Sequence, residues 1–343
     1  MINGKPELVK PDIQTDIPTD KLIHNIVQID KVYREEKKMY LLDLYLQQLP
    51  ENKAGSFKVV ETVAFKVIDQ AQWVRVSDIE KVYHKQGETV KYISFVTYNI
   101  WFESFYKRER YQVLLRMIEQ SDSDFICLQE VIYEFQMMLF KEKFVQDKYF
   151  LSNSEIHGGY GVLIMSKWPC KFYEAKFPTN MGRSLLLCET IINDKPVIVS
   201  TAHFESLGNG PIRKQQLEIS FPILSIVDDA FLMGDFNFNS TWKLEQANIS
   251  KDFDDVFLTL NNGVESFTMQ KTPRFSAWRP DKILAKKSSK WKAEFIQRIG
   301  LFCIPSFAGE NVNDIETDQK VRTPSDHMGL FSIFKLNESE EKQ

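Results

Sequence analysis

Eight polar side chains stand where apolar runs of this sequence stop. Asn99 ends SFVTYN, Glu130 ends FICLQE, His203 ends VIVSTAH, and Asp235 and Asn237 end FLMGDFN; Asp281 opens DKIL, and Asp326 and His327 precede MGLFSIF. Runs of this kind are expected to be buried strands, and loops at strand ends can hold catalytic groups on a rigid sheet. Taken singly, each residue is an ordinary cap or turn former. Taken together they describe a chemistry. Carboxylates with an amide suit a hard cation such as Mg²⁺, with Mn²⁺ as the alternative. His203 and His327 are two of only five histidines, and both can donate to an anionic oxygen. A further carboxylate beside a water can act as base. These are the parts for metal-assisted phosphoester hydrolysis. The four cysteines form no CxxC pair, which argues against structural zinc and disulfides and for a reducing compartment.

The elements that must position these residues follow from periodicity. YISFVTYNI, DFICLQEV, GYGVLIMSK, KFYEAKF, RSLLLCETII, PVIVSTAHF and DDAFLMGDFNF read as strands, with further strands at PDKILAK, WKAEFIQRI and MGLFSIFKL. KRERYQVLLRMIEQS and YEFQMMLFKEKF carry helical spacing, and another helix starts at Pro211, with Pro222 breaking or kinking it. This alternation predicts an α/β fold of two packed mixed sheets with helices outside.

The chain divides into an arm with amphipathic helices over residues 1–55, a connecting extension over 56–90, a catalytic domain over 91–336 and an acidic tail over 337–343. The extension carries short strands in SFKVVETVAFKVI and QWVRVS. The N-terminal helices pack on the main domain or bind a protein partner. Lys plus Arg number 43 and Asp plus Glu 47, a net charge of −4, so a strongly basic nucleic-acid coat is excluded and any such site is a local patch. The N-terminus lacks an apolar signal core, and no run is long enough to span a membrane. An intracellular location, nuclear or cytoplasmic, is expected.

TYNIWFE, LQEV, TAHFES, GDFNF, RPDKIL and PSDHMGL resemble, in order and spacing, the motifs of the endonuclease/exonuclease/phosphatase superfamily. HFES, IRKQQL and NMGRSLL are similar to those of its tyrosyl-DNA phosphodiesterase 2 branch. The resemblance implies a four-layer α/β sandwich and a Mg²⁺-dependent hydrolase. It implies that Glu130 is the main metal ligand, with Asn99 beside it and Asp326 near the metal. Asp235 would activate water, with Asn237 helping to hold water and phosphate. His203 and His327 would donate to phosphoryl oxygens, Asp281 would orient His327, and Ser206 would contact the phosphate. The sequence departs from the branch at Lys282, commonly Arg there, at Pro280, and in GDFNFN rather than GDTN; no ubiquitin-binding module is recognisable.

Arg183, Arg213 and Arg279 are expected to touch substrate; Trp101, Phe102, Trp278 or Phe204 are candidates to stack on bases, though each taken singly reads as a core aromatic. The expected activity is removal of a 5′ adduct such as phosphotyrosine from DNA, as in DNA repair. Alternatives are a sphingomyelin-type or inositol-phosphate hydrolase, an abasic-type or RNA nuclease, and a non-catalytic binding protein with a decayed site.

Overall fold

Alternation along the strands decides the architecture. In Ser184–Ile192, Leu185 and Leu187 join one apolar cluster, while Leu186 and Cys188 join another. A strand buried on both faces needs a cover on each. The computed structural model of the chain describes residues 40–48, 57–60, 62–67, 71–76, 89–152, 159–271, 276–304 and 323–337. Among them, two mixed sheets pack face to face, with helices on their outer faces.

The strands are β1 (Phe57–Val60), β2 (Thr62–Val67), β3 (Ala71–Arg75), β4 (Tyr92–Asn99), β5 (Phe125–Val131), β6 (Phe150–Ser152), β7 (Gly161–Ser166), β8 (Cys170–Lys176), β9 (Ser184–Ile192), β10 (Lys195–His203), β11 (Asp229–Asp235), β12 (Phe253–Asp255), β13 (Asp281–Lys286), β14 (Trp291–Ile299) and β15 (Gly329–Leu336). The helices are α1 (Leu41–Gln48), α2 (Lys107–Ser121), α3 (Tyr133–Leu139), α4 (Lys143–Lys148), α5 (Gly210–Leu224), α6 (Lys243–Gln246) and α7 (Val256–Leu260). One sheet runs β1-β8-β9-β10-β11-β13-β12, the other β14-β15-β4-β5-β7-β6-β2-β3.

Three apolar layers hold this stack together. Phe95, Phe125, Phe231 and Phe334 meet between the sheets. Leu187, Ile198 and Leu232 lie under Leu217, Phe221 and Leu224 of α5 and under Leu41 and Leu42 of α1. Val96, Ile126 and Leu128 lie under Leu114, Leu115 and Ile118 of α2 and Phe135 of α3. Burying each such side chain contributes roughly 1.5–3 kcal/mol.

One expectation changes. YEFQMMLFKEKF holds α3 and the start of α4 rather than a single helix. In the extension, β1 pairs with β8 and β2 with β6 and β3, so these three strands complete one edge of each sheet. Their buried Phe57, Val60 and Val63 supply the reason. In front of them, the Leu41 and Leu42 N–H groups at the start of α1 donate to the buried Glu189 carboxylate at 2.6 and 2.9 Å. Each sheet thus takes in strands from both sides of residue 91. The arm over residues 1–20, the helical spacing before Tyr40 and the acidic tail beyond Asn337 lie outside the described residues. Pro222 sits in the last turn of α5, where a missing N–H costs one helical bond and the helix ends two residues on.

Candidate active site

Strand direction gathers the eight residues. β4 and β5 run parallel, with Asn99 opposite Gln129, and so do β10 and β11, with His203 opposite Asp235. Their C-terminal ends therefore share one rim. β13 and β15 run the other way, so Asp281, opposite Asp235, and the Asp326–His327 pair just before β15 start at the same rim. Gly234 makes the Asp235 approach possible: its φ is 137°, and a Cβ there would lie 2.1 Å from the Ala202 carbonyl oxygen. Ser325 pins the last loop, donating to the Asn99 carbonyl at 2.7 Å and accepting from the His327 N–H at 3.1 Å.

Asp235 is the hub. Its Oδ2 accepts Asn99 Nδ2 at 3.1 Å and faces His203 Nε2 at 3.4 Å and His327 Nε2 at 3.7 Å. Its Oδ1 accepts the Asn237 N–H at 2.9 Å, and Asn237 Nδ2 donates to the Phe204 carbonyl at 2.9 Å. Trp101, Glu130 and Asn237 all adopt positive φ, of 60°, 58° and 54°. Such non-glycine conformations survive only where surroundings over-determine them.

The two histidines differ in charge. His203 Nδ1 is 2.9 Å from an Arg183 N–H, so that nitrogen accepts and Nε2 carries the proton. Burial, aided by the Arg183 charge and opposed by Asp235, lowers its pKa to about 3, which leaves it a neutral donor. His327 Nδ1 contacts Asp281 Oδ2 at 2.8 Å. Burial opposes its charge, but Asp281, Asp235 and Asp326 override that and hold it well above the usual histidine range. His327 is thus a cation with its Nε2–H aimed at the hub. Thr268 also donates to Asp281 Oδ2.

Glu130 stands across from this network. The β5–β7 register shifts between Leu128 and Val131, and such a bulge re-aims a side chain. Glu130 Oε1 accepts Asn99 Nδ2 at 3.1 Å and Oε2 accepts the Phe102 N–H at 3.0 Å. Burial and the neighbouring Asp326 push its carboxyl up to about 7. Burial also raises Asp326, against the pull of His327. Two half-buried carboxylates in mutual repulsion, with oxygen donors only, fit a hard divalent cation. Asp235, Asp281 and His327 also bring ligand atoms within 4.8 Å of one another and could hold a metal on spacing. His327 already bonds Asp281 and carries positive charge, so Glu130 with Asp326 fits a cation better. Asn99 turns its oxygen to the Trp101 N–H at 3.1 Å and its nitrogen to both carboxylates. It bridges Glu130 and Asp235, with its oxygen taken up by the Trp101 N–H.

The expected substrate residues separate. Arg183 is at the site: it lies 5.0 Å over the Tyr160 ring beside His203, with its Nε unpaired among the described residues. Ser206 is three residues past His203, its hydroxyl 3.0 Å from Met181 Sδ. Arg213 and Arg279 turn inward to internal partners, away from the rim residues gathered on Asp235. Arg213 is 2% exposed and bonds Glu245 at both ends of its carboxylate. Arg279 is fully buried between Asp255 and Glu265. Lys282 is also internal, on the Ser240 hydroxyl and the Arg279 carbonyl. Trp101 and Phe204 are buried in the structure rather than free to stack on bases, Phe102 stacks on Tyr160 at 4.7 Å, and Trp278 stacks on Trp242 at 5.4 Å.

Arg110 is a supporting residue that the motifs do not reveal. It is fully buried and donates to the carbonyls of Ile100, Trp101, Glu103, Phe105 and Pro324, cinching the loops after β4 and before β15. Its spacing gave a signal: it shares the apolar helix face of Leu114 and Ile118. Thr268 and Ser325 had no such signal, because lone hydroxyls in loops are common.

Comparison with curated protein sequences finds no match. Solved structures do resemble the fold. A D. rerio TDP2 complexed with single strand DNA product is 21% identical, covers 71% of this chain and 99% of its own, and has a TM-score of 0.56. TDP2 from C. elegans is 16% identical over 97% of this chain and 100% of its own, with a TM-score of 0.54. The human Nocturnin catalytic domain with bound sulfate is 16% identical over 72% of this chain and 94% of its own, with a TM-score of 0.52. No helix among the described residues is long and apolar enough to cross a membrane. Residues 96–327 match one family model, and that stretch contains every rim residue described above; the chain belongs to the Endonuclease/Exonuclease/phosphatase family.

Proposed function

We propose that this chain is a Mg²⁺-dependent phosphodiesterase that hydrolyses a 5′-phosphotyrosyl or related 5′ adduct on DNA. The observation that carries the reading is the convergence on Asp235 of a neutral His203, a cationic His327 and the Asn99 bridge to Glu130. A decayed site would not be expected to keep that set of buried contacts intact.

Each residue has work that follows from its contacts. Asp235 takes the proton of the attacking water as its oxygen bonds to phosphorus, and Asn237 holds the carboxylate in place. The P–O bond to the adduct breaks in line. His203 and His327 donate from Nε2 to the phosphoryl oxygens as charge spreads over them. Asp281 keeps His327 oriented and charged. Glu130 and Asp326 would hold the cation, which supplies charge neutralisation at the phosphate. A phenolic leaving group, with a pKa of about 10, departs without a strong general acid.

The adduct assignment is supported by HFES, IRKQQL and NMGRSLL and by the likeness to a TDP2 bound to single-strand DNA product. Arg183 over Tyr160 forms a cationic wall beside His203, suited to the phosphate end of such a substrate. The test is kcat/KM under one Mg²⁺ condition for a 5′-tyrosyl oligonucleotide, an abasic duplex and sphingomyelin. The tyrosyl oligonucleotide is expected to lead. A lead of more than about tenfold for either other substrate would reassign the substrate and leave the phosphodiester chemistry standing.

A further inference from the structure

The loop that carries Ser206 does little to hold itself. Leu207 is 77% exposed and adopts φ 63°, a left-handed conformation disfavoured for its side chain, and Gly208 faces open space. Two α5 side chains supply the hold: Gln216, whose Oε1 accepts the Glu205 N–H at 2.9 Å, and Arg213, one turn into the helix, which reaches both sides of Ser206. Arg213 Nη1 donates to the Glu205 carbonyl at 2.7 Å and the Leu207 carbonyl at 2.9 Å. Asn209 Nδ2 takes the Ser206 carbonyl itself at 2.7 Å. The other edge of the guanidinium grips Glu245 of α6 with two bonds of 2.6 Å. A Cβ at Gly210 would sit 3.3 Å from Glu245 Oε1, so the bare glycine leaves that carboxylate its room.

α6 belongs to the segment that leaves Asp235 and Asn237. The two segments are therefore stitched twice: near the rim by Asn237 to the Phe204 carbonyl, and farther out by Arg213 to Glu245. We propose that Arg213 is a positioning residue that fixes the backbone on both sides of Ser206 and so sets the place of its hydroxyl relative to Asp235 and Asn237. The planar fork makes this geometry available to Arg and not to Lys. A guanidinium with every edge engaged does not reach substrate, so its loss weakens action on every substrate alike. The inference rests on the reading of Ser206 as a phosphate contact.

A double-mutant cycle on the full chain tests it, with Arg213→Gln, Ser206→Ala and the pair. The substrates are bis-p-nitrophenyl phosphate and a 5′-tyrosyl oligonucleotide, with Mg²⁺. Each single change is expected to lower kcat/KM by about tenfold, equally on both substrates, and the pair no further than the worse single, because both losses pass through one hydroxyl. The salt dependence of oligonucleotide binding should not move. Multiplying losses in the pair would mean general destabilisation, and a larger loss on the oligonucleotide would mean direct contact; either overturns the proposal. Full activity in Ser206→Ala alone would instead remove the phosphate contact on which it rests. Should Arg213→Gln not fold, Glu245→Gln frees the same guanidinium edge and runs the same cycle with the same outcomes.

Discussion

Asp281 and His327 form a buried pair, Oδ2 to Nδ1 at 2.8 Å, and the opposite nitrogen of the same ring faces Asp235 at 3.7 Å. One imidazole thus links a carboxylate that holds it to a carboxylate that would meet the water. Asp281→Asn keeps the shape and removes the charge. It should lower kcat by about a hundredfold with little change in KM, because the lost stabilisation belongs to the transition state. In wild type the His327 ring should stay protonated through neutral pH by NMR, and in the variant it should titrate far lower. An unchanged titration would separate the two residues.

The oxygen-donor pair makes a second expectation. Glu130→Gln removes one of the two carboxylates suited to a cation, while the Asn99 and Phe102 contacts have an amide to turn to. Half-maximal activation should then need at least about tenfold more Mg²⁺, as it does when a metal site loses a ligand or its support. Calorimetric titration of the unreacted protein with Mg²⁺ should show the same loss. Binding unchanged in the variant would move the cation to the Asp235–Asp281–His327 group.

Glu189 gives a stability profile. Burial, with Asp43 adding and the Leu41 and Leu42 N–H groups opposing, raises its carboxyl from 4.5 to about 8. The folded state then binds more protons than the unfolded one between those values, so stability is full below 4.5 and falls as pH rises through 8. The effect is of the order of a few kcal/mol at most. The melting temperature of Glu189→Gln should vary less than that of wild type between pH 5 and 8. Parallel profiles would refute this account of Glu189.

Arg279 should behave as structure. Leaving Asp255 and Glu265 without their cation costs about 3–5 kcal/mol, as for other broken buried pairs. Urea unfolding of Arg279→Ala should show that loss, with KM for a short phosphodiester unchanged in the folded protein. A normal unfolding midpoint with a raised KM would restore Arg279 to the substrate.

The rim was legible in the sequence because each of its residues closes an apolar run, and a run's end is visible without coordinates. The arginines were not. Arg213 and Arg279 lie near the motifs, but proximity does not tell a solvated cation from a buried one. Their partners Glu245, Asp255 and Glu265 sit in segments with no motif. The edge strands were hidden for a related reason: β1 and β2 read as short strands, but their pairing with β8 and β6 joins positions about a hundred residues apart. Asn99 was legible at the end of its strand but its bridging contacts were not, because which amide atom faces a carboxylate depends on the Trp101 N–H two residues away.

The most direct test is release of tyrosine from a 5′-phosphotyrosyl oligonucleotide by wild type and by Asp235→Asn, in Mg²⁺ at equal folded concentration. Wild type should leave a 5′-phosphate, and the variant should be slower by about a hundredfold or more in kcat. Equal rates in the two proteins would contradict the assignment of Asp235 as the residue that activates water.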